Sequence, residues 1–574
     1  MYNALNTGEY NMRSIFRTSL RSFYLLNATQ FMGALNDNVF KLLVIYLLIA
    51  VKGPDFANVI LSLAGAIFVI PFLLFSSAAG VLADRISKKY IIVFSKALEL
   101  AVMLFGVIAV FLNWEVGLYV ALFLLATHSA IFGPSKYGII PELVGEESVS
   151  RANGSITSMT YLAMILGTFL ASFLTEITGK NFSIIIGFCT LISVIGLLTS
   201  LGITKTEPAR STKKINPFFL YEIYQTVRVC WDIPNILPCM FGSAFFLFVA
   251  AFSQLNMIPF AMQALNLDEV GGGYLFLVTA IGIAIGSTLS GRLSKDSVEP
   301  GITCIAGGFL SILFLLLSAF SSSLISVVIL LVLLGVAGGA DVVPCDAFLQ
   351  VNTPKEKRGQ IIAASNFFSF TGVLMAALYL YFVNEKLGFS ASKSFALLGV
   401  LSLFATIIMM GRLSSLFFPF LAKRILKRFR KANFVSEIPE ASTVLILQSN
   451  SWWDAILLYI HFPFLKIFAP GTSPFRFPWF NGLFGSIRRT SVEPSFKERK
   501  KIAKEMQKCL KKERPISLFF YKEGDPNVID LYLDLLGEES LNFVRLRMNR
   551  ELIPKKFFGI SYKQKQLSFR TSNS

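Results

Sequence analysis

Charge is scarce in this chain, and so are the residues that build most metal and redox centres. Only 15% of its 574 residues are Asp, Glu, Lys or Arg, while 54% are hydrophobic, which excludes an ordinary soluble globular protein. Six cysteines (189, 230, 239, 304, 345 and 509) are scattered without a C-x-x-C pair, most of them in apolar stretches. That pattern excludes a disulfide framework and a zinc site and leaves them as small packing residues. Histidine occurs twice, at 128 and 461. No metal and no cofactor is expected.

Long apolar runs fill the sequence instead. About twelve runs of roughly 18 to 25 residues, each able to cross some 30 Å of hydrocarbon, recur from Leu25 to Gly411. The first, Leu25 to Val51, is longer than a signal-peptide core and lacks a small-residue cleavage site, so it is expected to stay in the mature protein. The net charge of +18 does not point to nucleic acid, because the basic residues gather in alternate loops. Arg13, Arg17 and Arg21 form one group, then Arg85, Lys88 and Lys89, then Lys205, Arg210, Lys213 and Lys214, then Lys355, Lys357 and Arg358. This is the positive-inside pattern, and with an even number of spans it puts both termini in the cytoplasm.

The spans fall into two sets of about six, residues 20–204 and 230–412, around a polar linker at 205–229. Landmarks repeat in order between them: Gly80 to Lys89 and Gly291 to Lys295, spans ending at Pro134 and Pro344, then Asn153 and Asn366. Parallel halves of this kind are how major facilitator transporters are built. The stretch Gly80-x3-Asp84-Arg85-x-Ser87-Lys88-Lys89 resembles the loop signature of that superfamily, with Ser87 where glycine is usual. The resemblance makes it a gating loop: Gly80 permits close helix approach, and Asp84 caps a neighbouring helix and pairs with Arg85. The plain alternative is a positive-inside loop with no gating role.

Two further stretches narrow the family, Gln30 to Lys41 in the first span and Phe132 to Leu143 after the fourth. With Asn153-Gly154, Val342-Val343-Pro344, Gln350 and Ala363 to Phe367, they are similar to the bacterial lysophospholipid transporter family over about residues 20 to 412. The resemblance implies an all-α membrane domain of major facilitator fold over residues 1–412, in the bacterial inner membrane. It also implies inward flipping of lysophosphatidylethanolamine and related lysolipids. The alternative is an exporter of an unrelated solute.

Ionisable groups at membrane depth are costly and therefore functional candidates. Asp37 and Lys41 are spaced to pair on one helix face, as are Lys96 and Glu99, while Asp341 and Asp346 lie on the tenth span with no basic partner nearby in sequence. A lysolipid with a phosphate and an amine needs both signs beside an apolar wall. Asp37 is assigned to amine or gating contacts and Lys96 to phosphate; Lys41, Glu99 and Lys136 complete the candidate transport site. His128, at a span end, reads as a packing or interfacial residue.

Past the last span, residues 413–435 are apolar at 421, 425 and 429 and basic at 423, 424, 427, 428, 430 and 431, an expected interfacial helix on anionic membrane lipid. Residues 436–574 read as a small α/β domain. Gln448-Ser449-Asn450-Ser451-Trp452-Trp453-Asp454 resembles the first acyltransferase motif, N-H-x-S-x-x-D, of the glycerolipid family, with Ser449 in the place of the catalytic histidine. His461 lies two helical turns beyond Asp454 and cannot replace it. Phe480 to Ile487 looks like the glycerol-phosphate loop with its arginine displaced to Arg488 or Arg489, and Tyr521 to Pro526 is similar to F-P-E-G-T-R but keeps only Glu523 and Gly524. Losing the general base removes a factor of about 10² to 10⁴ in rate. The remnants Ser449, Asp454, Glu523 and Gly524 thus imply a degenerate domain that docks on the membrane, on a separate acyltransferase or on an acyl carrier protein system. A bifunctional transporter and acyltransferase is the alternative.

Overall fold

The computed structural model describes residues 2–414 except 54–55, 214–217, 268 and 295–297. Beyond them it describes 416–417, 420–421, 432–434, 443–449, 466–470, 487–490, 498–499, 502–504, 506–507, 516–521, 542–557 and 560–572.

Six helices precede the linker: α1 (Tyr2–Lys52), α2 (Ala57–Arg85), α3 (Lys88–Phe111), α4 (Glu115–Val144), α5 (Val149–Ile177) and α6 (Phe182–Leu201). The linker carries the shorter α7 (Phe219–Trp231), and six more follow: α8 (Ile236–Leu265), α9 (Glu269–Leu293), α10 (Gly301–Ala319), α11 (Leu324–Val351), α12 (Arg358–Tyr381) and α13 (Ala391–Arg412). Apart from α7, each holds a stretch long and apolar enough to cross a membrane, twelve in all, so this is a multi-pass membrane protein. The membrane face on which the linker lies is the linker side below.

The sequence reading ends two spans at Pro134 and Pro344, but α4 runs on through Pro134 and Pro141 to Val144, and α11 runs past Pro344 to Val351. A proline removes one backbone hydrogen bond; breaking the helix inside hydrocarbon would strand several more, so the helix continues. Phe132 to Leu143 is therefore the linker-side end of α4, not the loop after it.

In the first half Phe40, Leu43, Met103, Leu122 and Ile186 pack one core. In the second, Phe252, Phe260, Phe314 and Phe395 form another, with Phe314 stacked on Phe395 at 5.9 Å. The halves meet where α2 lies on α12 and α5 on α9 and α11. A Cβ at Gly80 would lie 2.5 Å from Ala363 Cβ and 2.7 Å from the Gly359 carbonyl oxygen, and one at Gly154 would lie 2.5 Å from the Ser287 carbonyl oxygen, so only glycine admits these approaches. Among the described residues, the hydrogen bonds and glycine contacts that join the halves all fall between the linker-side helix ends and the helix midpoints. The stacked rings of Phe72 and Phe370, 3.8 Å apart, mark their inner limit. The linker side is closed.

A second unit, from Ile408 to Ser574, contains β1 (Ala432–Phe434), β2 (Thr443–Ser449), β3 (Lys466–Pro470), β4 (Ile487–Thr490), β5 (Ile516–Tyr521), β6 (Asn542–Phe557) and β7 (Ile560–Ser572). They form one mixed sheet in the order β1-β7-β6-β2-β5-β3-β4, in which β6 and β7 are antiparallel and the other neighbours parallel. Asp454, His461, Glu523, Gly524 and residues 422–431 of the expected interfacial helix lie outside the described residues.

Candidate functional site

Two groups of polar residues sit inside the membrane domain. One closes the linker side and the other lies at membrane depth.

The first begins where α2 ends. Asp84 is buried, and its carboxylate accepts from the backbone N–H of Gly359 (2.6 Å) and Gln360 (3.0 Å) and from Gln360 Nε2 (3.1 Å). It therefore caps the N-terminus of α12, where unpaired amides and the helix dipole favour an anion. The expected pairing with Arg85 does not occur: Arg85 is exposed and forms no ion pair with Asp84, whose carboxylate is already occupied by the α12 amides. Lys88, 1% exposed, reaches Glu142 of α4 at 2.6 Å, while Lys89 is half-buried. The linker joins this network through Lys213, whose Nζ donates to Gln360 Oε1 at 2.9 Å and pairs with buried Glu222 of α7. Deeper, Asn153 and Gln350 exchange two side-chain hydrogen bonds between α5 and α11, and Ser158 bonds Thr288 of α9 at 2.7 Å.

The second group is centred on Glu99 of α3. Its Oε2 accepts from Lys96 Nζ at 2.5 Å and faces His128 Nε2 at 3.2 Å; its Oε1 accepts from Asn36 Nδ2 (3.0 Å) and Ser193 Oγ (3.3 Å). Four helices, α1, α3, α4 and α6, thus converge on one carboxylate. The i,i+3 pairing of Lys96 with Glu99 is as the spacing predicts. His128 corrects the sequence reading, because it is 1% exposed and faces a charge where simple packing was expected. Glu99 lies on the preceding helix, and spacing along a single helix carries no signal of that contact.

Asp37 and Lys41 do not close an ion pair. Ser129 Oγ donates to Asp37 Oδ2 at 2.8 Å, drawing the carboxylate toward α4, and Lys41 Nζ sits 5.3 Å from the centre of the Phe68 ring. Asp37 Oδ1 is shielded from solvent and has no hydrogen-bond partner among the described residues. Lys136 of α4, 7% exposed, lies over Tyr137 at 4.2 Å and Phe132 at 5.8 Å and forms no ion pair among the described residues. It feels Asp346 of α11 from across the halves; that carboxylate accepts from Ser243 Oγ at 2.7 Å. Sequence reasoning noted Asp346 without a basic partner nearby; in the structure its hydrogen-bond donor, Ser243, comes from α8, and Lys136 of α4 acts on it without forming an ion pair. Asp341, buried on the same helix, accepts from Thr303 through its backbone carbonyl.

A family signature described as the Major Facilitator Superfamily matches residues 26–377. The lysophospholipid transporter LplT of Yersinia pestis (strain Pestoides F) is 26% identical to this chain over 374 residues, covering 64% of this chain and 88% of its own length. The same figures hold for LplT of Yersinia pseudotuberculosis serotype O:3 (strain YPIII). Among solved structures, the E. coli fucose:proton symporter FucP superposes with a TM-score of 0.57 at 15% identity, over 69% of this chain and 99% of FucP. A bacterial homologue of the iron transporter ferroportin in the outward-facing state gives 0.55 at 15% identity, over 68% and 99%. At such identities the likeness bears on fold alone. The family match spans more than half of the chain and its twelve membrane helices have the same architecture: this protein belongs to the Major Facilitator Superfamily.

Proposed function

We propose that this protein flips lysophospholipids of the lysophosphatidylethanolamine type to the cytoplasmic leaflet of a bacterial inner membrane. The observation that carries the proposal is a pair of opposite charges left without full partners at membrane depth. Asp37 has an oxygen with no donor, and Lys136 has no carboxylate at ion-pair distance, among the described residues. A zwitterionic head group supplies an ammonium to the first and a phosphate to the second, where a desolvated ion is costly unless paired. Lys96 is engaged by Glu99, so the phosphate role moves to Lys136. Similarity to the LplT transporters over 374 residues supports the cargo class.

The linker side is cytoplasmic in this reading, because its loops carry the lysines and arginines, and both termini lie there with it. Closure on that side then corresponds to an outward-facing state. Residues 1–412 form the transporter, as two halves about the 205–229 linker; 413–435 rest on the membrane surface; 436–574 form an acyltransferase-like domain that has lost its chemistry. A mixed sheet supports the last assignment, since β2 and β5 are parallel neighbours with Ser449 opposite Tyr521. The strand ends from which both motif remnants follow are thus adjacent, at the carboxyl edge where α/β sheets place their sites.

Leaflet-resolved uptake of labelled lysophosphatidylethanolamine into vesicles holding only this protein tests the proposal. Inward movement well above that of protein-free vesicles is expected. No acceleration for any lysolipid head group overturns it, and acceleration of an unrelated solute alone favours the exporter.

A further inference from the structure

We propose that the linker helix α7 lies in the head-group layer of the linker-side leaflet, with Arg228 on lipid phosphate between Tyr224 and Trp231, and that this contact steadies the closed gate. The proposal concerns the membrane around the protein and holds whatever the cargo is.

The two faces of α7 are unlike. Glu222, Ile223, Thr226 and Cys230 are buried where the helix packs on α2, α8 and α12, whereas Tyr221, Tyr224, Arg228 and Trp231 are exposed. The exposed four are spaced as i, i+3, i+7 and i+10, one stripe along the helix. Trp231 is 78% exposed and Tyr224 62%. Tyrosine and tryptophan, each with an apolar body and a polar tip, fit the boundary between hydrocarbon and water, which is also where an arginine meets phosphate.

The place of α7 in the fold brings the stripe to that boundary. A chain of rings runs from Phe219 to Phe367 (6.1 Å), to Phe368 (5.7 Å) and to Phe241 of α8 (5.2 Å). Phe367 stands nine residues into α12, about 13 Å from its linker-side end, so α7 begins beside the membrane-crossing helices and not beneath them. Phe241 is half exposed on a span, which makes it a lipid contact, and the ring chain ties α7 to that lipid-facing surface. Only Asp232 to Asn235 separate α7 from α8, which keeps Trp231 near the start of a span.

The inner face of α7 connects this contact to the gate. Before α7 the linker is held by the first half: Thr204 bonds Ser22, Ser87 Oγ donates to the Thr206 carbonyl at 2.7 Å, and the Ser211 N–H donates to the Asp84 carbonyl at 3.1 Å. Two residues later Lys213 reaches Gln360 of the second half and Glu222 of α7. Opening carries Lys213 away with the first half and breaks both contacts. A helix held flat by lipid presents Glu222 to the seam in advance, so closing costs less ordering of the linker.

The chain has five tryptophans, so the Trp231 signal is read as the fluorescence difference between the unaltered protein and Trp231→Phe. In vesicles of phosphatidylethanolamine and phosphatidylglycerol brominated near the head-group end of the acyl chain, that signal should fall at least twofold relative to unbrominated vesicles. A signal that bromine leaves unchanged overturns the proposal, whether aqueous iodide quenches it, as on a solvent-facing helix, or does not, as when another protein segment covers it. Arg228→Glu should at least halve the quenching; unchanged quenching removes the phosphate contact. In the same vesicles, spin labels at Arg151→Cys and Arg292→Cys should show the open population rising about threefold in Tyr224→Ser/Trp231→Ser, and an unchanged distance distribution overturns the link to the gate. If that double variant fails to accumulate, Arg228→Glu carries the same distance measurement with the same two outcomes.

Discussion

Asn153 on α5 and Gln350 on α11 clasp the two halves by a reciprocal amide pair, 2.9 Å from Asn153 Nδ2 to Gln350 Oε1 and 2.8 Å from Gln350 Nε2 to Asn153 Oδ1. Both side chains are buried, and both bonds must break for the linker side to open. Asn153→Leu leaves the Gln350 amide unpaired in the closed state only, which costs about 1 to 3 kcal/mol. Spin labels at Arg151→Cys and Arg292→Cys, exposed positions on the linker side of α5 and α9, should show the open population rising about tenfold by distance measurement. An unchanged distance distribution would mean that the pair does not hold the gate.

Asp84→Ala removes three acceptor contacts from the start of α12 at once. Charge-assisted hydrogen bonds contribute about 1.5 to 3 kcal/mol each, so the variant should lose several degrees of thermal stability in detergent. Asp84→Asn keeps an amide oxygen able to accept and should fall between the two. Equal melting temperatures for all three proteins would contradict the capping role.

Glu99 and Asp37 should respond differently to mutation. Glu99→Ala leaves Lys96 and His128 buried beside no carboxylate of their own, a loss of roughly 3 to 5 kcal/mol. The protein should be depleted from the membrane, and adding Lys96→Met should restore much of it. Normal accumulation of the single variant would show that the cluster does not support the fold.

Asp37→Asn keeps an oxygen to accept from Ser129, and Lys136→Gln disrupts no ion pair among the described residues. Both should accumulate as the unaltered protein does and lose transport at least tenfold, equivalent to about 1.4 kcal/mol of ligand interaction. Transport at the parental rate in either variant removes that residue from the proposed site.

Purified protein given lysolipid and an activated acyl donor should form no diacyl product above background. The Ser449 hydroxyl does not take up a proton near neutral pH, so Asp454 has no imidazole to orient. Robust turnover abolished by Asp454→Ala would make the tail an active acyltransferase.

Much of the architecture was legible because hydrocarbon leaves the backbone few choices. An apolar run long enough to cross must close its own hydrogen bonds, so the sequence alone determined twelve helices, the break at the linker and the placement of basic loops. Local spacing also determined the Lys96 to Glu99 pair, which needs only one helix. Pro134 and Pro344 misled, because the rule that proline ends a helix holds where water can take over the freed carbonyls.

What the tertiary structure alone decided is which polar groups remain available. Asp84 finds its partners 275 and 276 residues away, at the start of α12, and not in the adjacent Arg85. Lys96, Glu99 and His128 satisfy one another where α3 meets α4, whereas Asp37 and Lys136 come out of the same packing without full partners. Composition and spacing locate a charge along its own helix. Whether that charge is already neutralised depends on which helices lie beside it, and helix packing is set by contacts between residues far apart in the chain.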